Sequence, residues 1–215
     1  MSTSAATQAQ TAAPRGRSAR GRTGRANERR QLLLETTLEV IGVDGVDAVT
    51  HRRVAELAGV PLGSTTYWFA SRQEMLTEAL AHFARLDIEN VRRRFGALGR
   101  RPSRRRLVDE FVAYLAPQLR EDRSHTAAQY ALLQEAAREP ALEPVVREWT
   151  EAWQEALAEP FESLGAEQPE LEARMFLAML DGLSLVQLAA PDPDVENAVL
   201  RPMLTAWFAR IGKRP

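Results

Sequence analysis

Between Val49 and Arg72 the chain spells two helical stretches hinged at Gly59, each too short to hold together by itself. An isolated helix shorter than about 12 residues is marginal in water, so two in succession persist only by burying a shared face. Thr50 is a good N-cap for the first, which runs through Val54, Ala55, Leu57 and Ala58. Gly59 supplies the positive φ that a tight turn demands. The second stretch follows Pro61 and stops near Phe69 and Ala70. Ala55 is small where the two helices cross, and Val54, Val60 and Phe69 are spaced to bury against neighbours. The pair reads as a helix-turn-helix. Ser71-Arg72-Gln73-Glu74 then has the S-x-x-E pattern of a capping box opening a long helix.

The rest of the chain is helical in pattern. From Asn27, the residues Leu33, Leu34, Thr37, Leu38 and Ile41 share one face until Gly42 and Asp44-Gly45 end the run. After Ser71, an apolar line through Met75, Leu76, Ala79, Leu80, Phe83, Leu86 and Val91 continues to about Phe95. Five further helices are expected near 103–119, 124–139, 143–163, 169–190 and 194–210, punctuated by Pro140, Pro160, Gly165 to Pro169 and Pro191 to Pro193. The last two are apolar on more than one face and belong either in the core or against another subunit. No stretch alternates with period two. The expectation is an all-α chain of nine helices in two domains, a helix-turn-helix head at 27–72 on a helical body at 73–215.

Charge divides the chain more sharply than composition does. Met1 to Arg106 hold 19 basic and 10 acidic residues, a surplus of nine positive charges. Leu107 to Pro215 hold 9 basic and 19 acidic, a surplus of ten negative charges. Such a split points the N-terminal half at a polyanion, nucleic acid first and an anionic membrane surface second. Residues 1–26 carry Arg15, Arg17, Arg20, Arg22 and Arg25 without an acid and read as a disordered basic arm. That arm is either a DNA-tracking segment or a solubilising tail. The run Arg92–Arg94 with Arg100–Arg106 reads as a solvated face.

Several function classes are disfavoured. The chain has no cysteine, which excludes disulfides, thiolate zinc sites and thiol nucleophiles. His51, His82 and His125 are far apart, and no phosphate-binding loop, nucleophile elbow or dinucleotide fingerprint occurs. The expectation is no catalytic residue, no metal and no cofactor. No segment resembles a signal peptide or a membrane span, so a soluble cytoplasmic protein is expected.

The stretch Val49-Thr50-His51-Arg52-Arg53-Val54-Ala55-Glu56-Leu57-Ala58-Gly59-Val60-Pro61-Leu62-Gly63-Ser64-Thr65-Thr66-Tyr67-Trp68-Phe69-Ala70-Ser71-Arg72 resembles the signature of the TetR family of bacterial transcriptional regulators. The likeness extends over about 27–76. Thr66, Trp68 and Ala70 depart from the residues that the family often has there, which leaves the operator sequence open. The resemblance implies that Thr50, Arg52, Leu62, Gly63, Ser64, Thr65, Thr66, Tyr67, Trp68 and Arg72 face double-stranded DNA. Thr50 and Tyr67 would meet phosphates, residues 62–66 would face the major groove, and Arg72 would clamp the backbone. Read from the residues alone, a plain N-cap is the lesser alternative for Thr50, and Trp68 is equally a core aromatic.

The resemblance further implies a ligand-responsive repressor, released from a palindromic operator by an unidentified small-molecule inducer. It would be a homodimer through the helices at 169–190 and 194–210. Phe111, Tyr114, His125, Gln129, Tyr130, Trp149, Trp153 and Met179, aromatic, Met or polar groups on the presumed inner faces, are the candidate pocket residues. Core packing is the competing reading for each. An architectural nucleic-acid-binding protein without a ligand, and an activator of the same fold, remain alternatives at this level.

Overall fold

The computed structural model describes the backbone of residues 17–212 and the side chains of residues 26–212. These residues form nine α-helices: α1 Arg17–Asp44, α2 His51–Leu57, α3 Leu62–Trp68, α4 Arg72–Gly96, α5 Arg104–Arg120, α6 Arg123–Ala136, α7 Glu143–Ser163, α8 Pro169–Ala189 and α9 Arg201–Arg210. No strand occurs among the described residues. The expected all-α architecture and the helix count are as observed.

Two boundaries differ from expectation. Helix α1 begins at Arg17, inside the stretch expected to be a disordered arm. Arg and Ala are strong helix formers, and extending a helix already nucleated at 27–44 costs little compared with starting one. The rest of the expected arm, residues 1–16, lies outside the described residues. The last helix, expected as one piece at 194–210, is instead a π-helical turn, Val195–Leu200, followed by α9. Pro202 in the first turn of α9 has no N–H to bond back into the preceding turn, and its ring crowds the carbonyl four residues earlier.

Local chemistry closes each junction that matters for the head. Thr50 Oγ1 accepts the Arg53 N–H at 3.0 Å and caps α2. Gly59 has φ +65°, and the N–H groups of Gly59 and Val60 bond back to the carbonyls of Glu56 and Ala55, a Schellman ending. Ser71 Oγ caps α4 through the Glu74 N–H at 3.1 Å. The Glu74 carboxylate accepts the Ala70 N–H, one residue before the position a capping box would use. Leu33, Leu34 and Leu38 of α1, Val54 of α2, Phe69, and Met75 and Leu76 of α4 are all essentially inaccessible to solvent. The head is thus a small core closed from four helices.

In the body, α4 packs on α7, α7 on α8, and α5 on α9. At its centre Phe95, Phe111, Phe161, Phe176 and Phe208 form a buried aromatic cluster, with Phe111 4.7 Å from both Phe95 and Phe176 between ring centroids. Two of the arginines expected on a solvated face are exposed and also terminate helices. Arg106 donates to the Ala97 and Leu98 carbonyls after α4, and Arg104 donates to the Phe208 and Ile211 carbonyls at the end of α9. A guanidinium at a helix C-terminus satisfies orphan carbonyls and opposes the negative end of the dipole.

Two connections join head to body. One is α4, a continuous helix of 25 residues that starts in the head and ends among the body's aromatics. The other is the crossing of α1 over α6. There Gly42 lies so close to α6 that a Cβ added to it would stand 1.9 Å from the Ser124 carbonyl oxygen.

Candidate functional site

Helix α3 is held by α2 and presents a narrow outer strip. The strip is made by Leu62, Gly63, Thr66 and Tyr67, all exposed, with Tyr67 78% accessible. An exposed phenol and an exposed leucine on one short helix suit hydrogen bonds to phosphate and contact with thymine methyls. Arg52 on α2 and Thr50 at its start are exposed beside it. Ser64 is half-buried, and Trp68 sits half-buried edge-on to Tyr67, with ring centroids 5.0 Å apart. Arg29 of α1, which the motif did not single out, flanks the same surface in a depression shared with Gly63, Ser64, Tyr67 and Trp68.

Two of the residues expected on the DNA face serve another purpose. Thr65 is fully buried, and its hydroxyl donates to the Leu62 carbonyl at 2.8 Å and lies 3.3 Å from the His51 carbonyl. It joins α3 to α2 because it falls on the inner side of a helix whose outer side carries Leu62 and Thr66. Arg72 turns inward as well. Its guanidinium donates to the Val46 carbonyl at 2.8 Å and the Val49 carbonyl at 3.2 Å. The Val46 carbonyl also accepts the Val49 N–H that closes the short 3-10 turn Val46–Ala48, and Arg72 adds a second donor there from the start of α4. Arg53 similarly pairs with Asp44 at 2.8 Å and fixes α2 against the end of α1.

The second feature is a cavity of about 160 Å³ lined by residues of α4, α5, α6, α7 and α8. Of the candidate pocket residues, Tyr114, Gln129, Tyr130, Trp149 and Trp153 line it. Phe111, His125 and Met179 do not. Phe111 belongs to the aromatic core. On α6 the lining residues Thr126, Gln129, Tyr130 and Leu133 follow helical spacing, and His125 turns away to stack on Phe83 at 5.2 Å. On α8, Leu177, Leu180 and Ser184 face the cavity and Met179 packs toward the core instead.

The sequence reading missed the cavity's two acids. Asp87 of α4 is its most connected group. Its Oδ1 accepts the Tyr114 hydroxyl at 2.5 Å, and its Oδ2 accepts the indole N–H groups of Trp149 at 2.7 Å and Trp153 at 2.8 Å. One carboxylate thereby fixes aromatic walls from α5 and α7. Burial and the neighbouring Asp87 push the Tyr114 phenol far above its ordinary range, so it stays a donor. Asp181 of α8 stands at the rim and accepts the Tyr130 hydroxyl at 3.0 Å. Desolvation raises its pKa, a pull only partly opposed by that hydrogen bond. Both acids had a legible signal. Asp87 stands four residues from Phe83 and from Val91 on the apolar stripe of α4, and Asp181 interrupts the apolar run of α8.

Among the described residues, no group of three or more His, Asp or Glu side chains is arranged to hold a metal ion. No helix among them is long and apolar enough to cross a membrane.

Comparison with known proteins agrees with both parts. Residues 102–210 match the family described as the tetracyclin repressor-like C-terminal domain. The HTH-type nicotine-responsive transcriptional repressor HdnoR of Paenarthrobacter nicotinovorans is 23% identical over 191 residues, spanning 86% of this chain and 96% of that one. Among solved structures, the multidrug binding protein EbrR complexed with imidazole is 33% identical. It covers 83% of this chain and 94% of its own, with a TM-score of 0.62. A TetR-family member from Streptomyces coelicolor A3 is also 33% identical, covers 84% and 98%, and superposes with a TM-score of 0.65. A family match over half the chain, with relatives of this identity along nearly their whole length, leaves one assignment: the chain belongs to the TetR family of transcriptional regulators.

Proposed function

We propose that this regulator is a ligand-responsive repressor, a two-fold dimer that grips a palindromic operator with its two α3 helices and lets go when a small molecule enters the cavity. Its relatives are transcription factors, and one of them is a repressor by name. EbrR has been crystallised with imidazole, ethidium, malachite green and proflavin, which supports a small-molecule role for the corresponding space here. In this reading residues 27–72 are the reading head and 73–215 the ligand-binding and dimerisation body.

One observation carries the proposal: Asp87, which organises the cavity, lies on the same unbroken helix as Arg72, which holds the head. Fifteen residues of helix separate them, about 22 Å of stiff rod. Any tilt of α4 about the cavity therefore moves the head sideways. Two heads reading successive major grooves must sit about 34 Å apart or more, and a small tilt spoils that spacing. A ligand that prefers the tilted state lowers DNA affinity by its preference for that state.

The test begins with duplexes enriched from a random pool by the full chain, then compared with random duplex in mobility-shift assays. The enriched duplex should bind far more tightly, and Tyr67→Phe should weaken it by roughly fivefold, the worth of one hydrogen bond, with no change in melting temperature. Equal affinity for enriched and random DNA would sink the repressor reading in favour of an architectural role.

A further inference from the structure

We propose that the cavity takes a small organic cation, a protonated or quaternary amine carried on a single ring, and that Asp181 reads its charge. The proposal rests on the ligand-responsive reading above and names the chemical class of the ligand.

The charge inventory is one-sided. Asp87 and Asp181 both line the cavity, and no Arg, Lys or His does so among the described residues. An anion entering this space would meet two carboxylates and no countercharge. A neutral ligand would displace water from Asp181 and give nothing back. Burying an unpaired charge is costly, so the occupant that lowers the cost carries the opposite sign.

The two acids are not equivalent. Asp87 already accepts from three donors, two indoles and a phenol, so it serves to position the walls. Asp181 has one donor, the Tyr130 hydroxyl, and keeps acceptor capacity at the rim. Asp181 is exposed to solvent, and partial desolvation raises its pKa against the single hydrogen bond from Tyr130.

The walls favour the same class of ligand. Trp149 and Trp153 both commit their N–H groups to Asp87. A carboxylate accepting an indole N–H pushes electron density into the ring. Indole faces are the best cation-π surfaces among side chains, and desolvation strengthens the attraction. The size limits the ligand: an apolar cavity of about 150 Å³ admits a benzene ring, and this one measures about 160 Å³.

The experiment uses the full chain and three probes of nearly equal shape: phenyltrimethylammonium, its neutral isostere tert-butylbenzene, and the anion benzenesulfonate. Binding is read by quenching of tryptophan fluorescence, since two of the four tryptophans line the cavity. The cation should bind roughly tenfold tighter than the neutral isostere, the anion weakest of all. Asp181→Asn should bring the cation down to the neutral level without lowering the melting temperature. The wild-type comparison stands even if that variant folds poorly. Binding of the neutral or anionic probe as tight as the cation, or no quenching by any probe, overturns the proposal. An unchanged cation preference in a folded Asp181→Asn protein overturns the role of Asp181. Release of enriched duplex is measured in parallel. Release by the neutral or anionic probe alone leaves ligand response standing and defeats the cation, whereas a bound cation that releases no DNA defeats ligand response.

Discussion

At the level of single residues, His82 shows how burial sets a titration. It lies on α4, almost fully buried, with Arg85 Nη2 2.9 Å from its Nδ1 and Glu35 of α1 4.0 Å from its Nε2. Arginine can only donate, so Nδ1 is the acceptor and Nε2 carries the proton. Burial lowers the His82 pKa, and the nearby Arg85, Arg30 and His125 add to the effect while Glu35 opposes it. The unfolded chain then binds a proton more readily than the folded one just below the ordinary histidine value of about 6.5. Stability therefore rises with pH through that window and is lost on acidification. Denaturant unfolding measured across the window should show this slope, and His82→Gln should flatten it; an unaltered slope would remove His82 as its source. The same scale shows what a sequence reveals. Thr50, Leu62 and Tyr67 were legible as surface residues because a short amphipathic helix has one outer strip. Thr65 and Arg72 were not, because their partners, His51, Val46 and Val49, depend on how α2, α3 and α4 dock.

Among the elements, the crossing of α1 and α6 is the tightest joint between head and body. Gly42 sits in the last turn of α1 against the backbone of Ser124. Gly42→Ala should force the helices apart and cost about 1–3 kcal/mol, as overpacking does, in denaturant unfolding. Unchanged stability would mean that the two helices do not meet at Gly42. Because α6 also lines the cavity, the same variant should alter operator affinity although Gly42 belongs neither to the α3 strip nor to the cavity lining. In the sequence, Gly42 reads only as punctuation near Asp44-Gly45. Its use as a crossing point needs a partner about 80 residues away, which periodicity cannot supply. Helix ends were far more legible, since Thr50, Ser71 and Ser103 cap locally through their own side chains. The π turn before α9 escaped because one proline unsettles a ladder that otherwise reads as continuous.

Over the whole molecule, an apolar stripe is left uncovered on α8. Leu171, Met175, Leu185 and Val186 are each more than 40% accessible, and the exposed Gly182 lies between them. The spacing follows one side of a helix, opposite the side that faces the cavity, as a two-fold contact between copies of the chain would require. Met175→Glu combined with Leu185→Glu should yield a monomer in light scattering with its helical content intact. Operator affinity should fall about 100-fold or more once the two heads are no longer linked. A dimer surviving both charges would place the interface elsewhere. The clamp at Asp87 has a consequence for how such a regulator diversifies. In the proposed mechanism Asp87 is the link to α4, and the group that reads the ligand's charge is Asp181 with its partner Tyr130. Substitutions at the rim can exchange one chemical signal for another across descendants while the inherited lever stays intact.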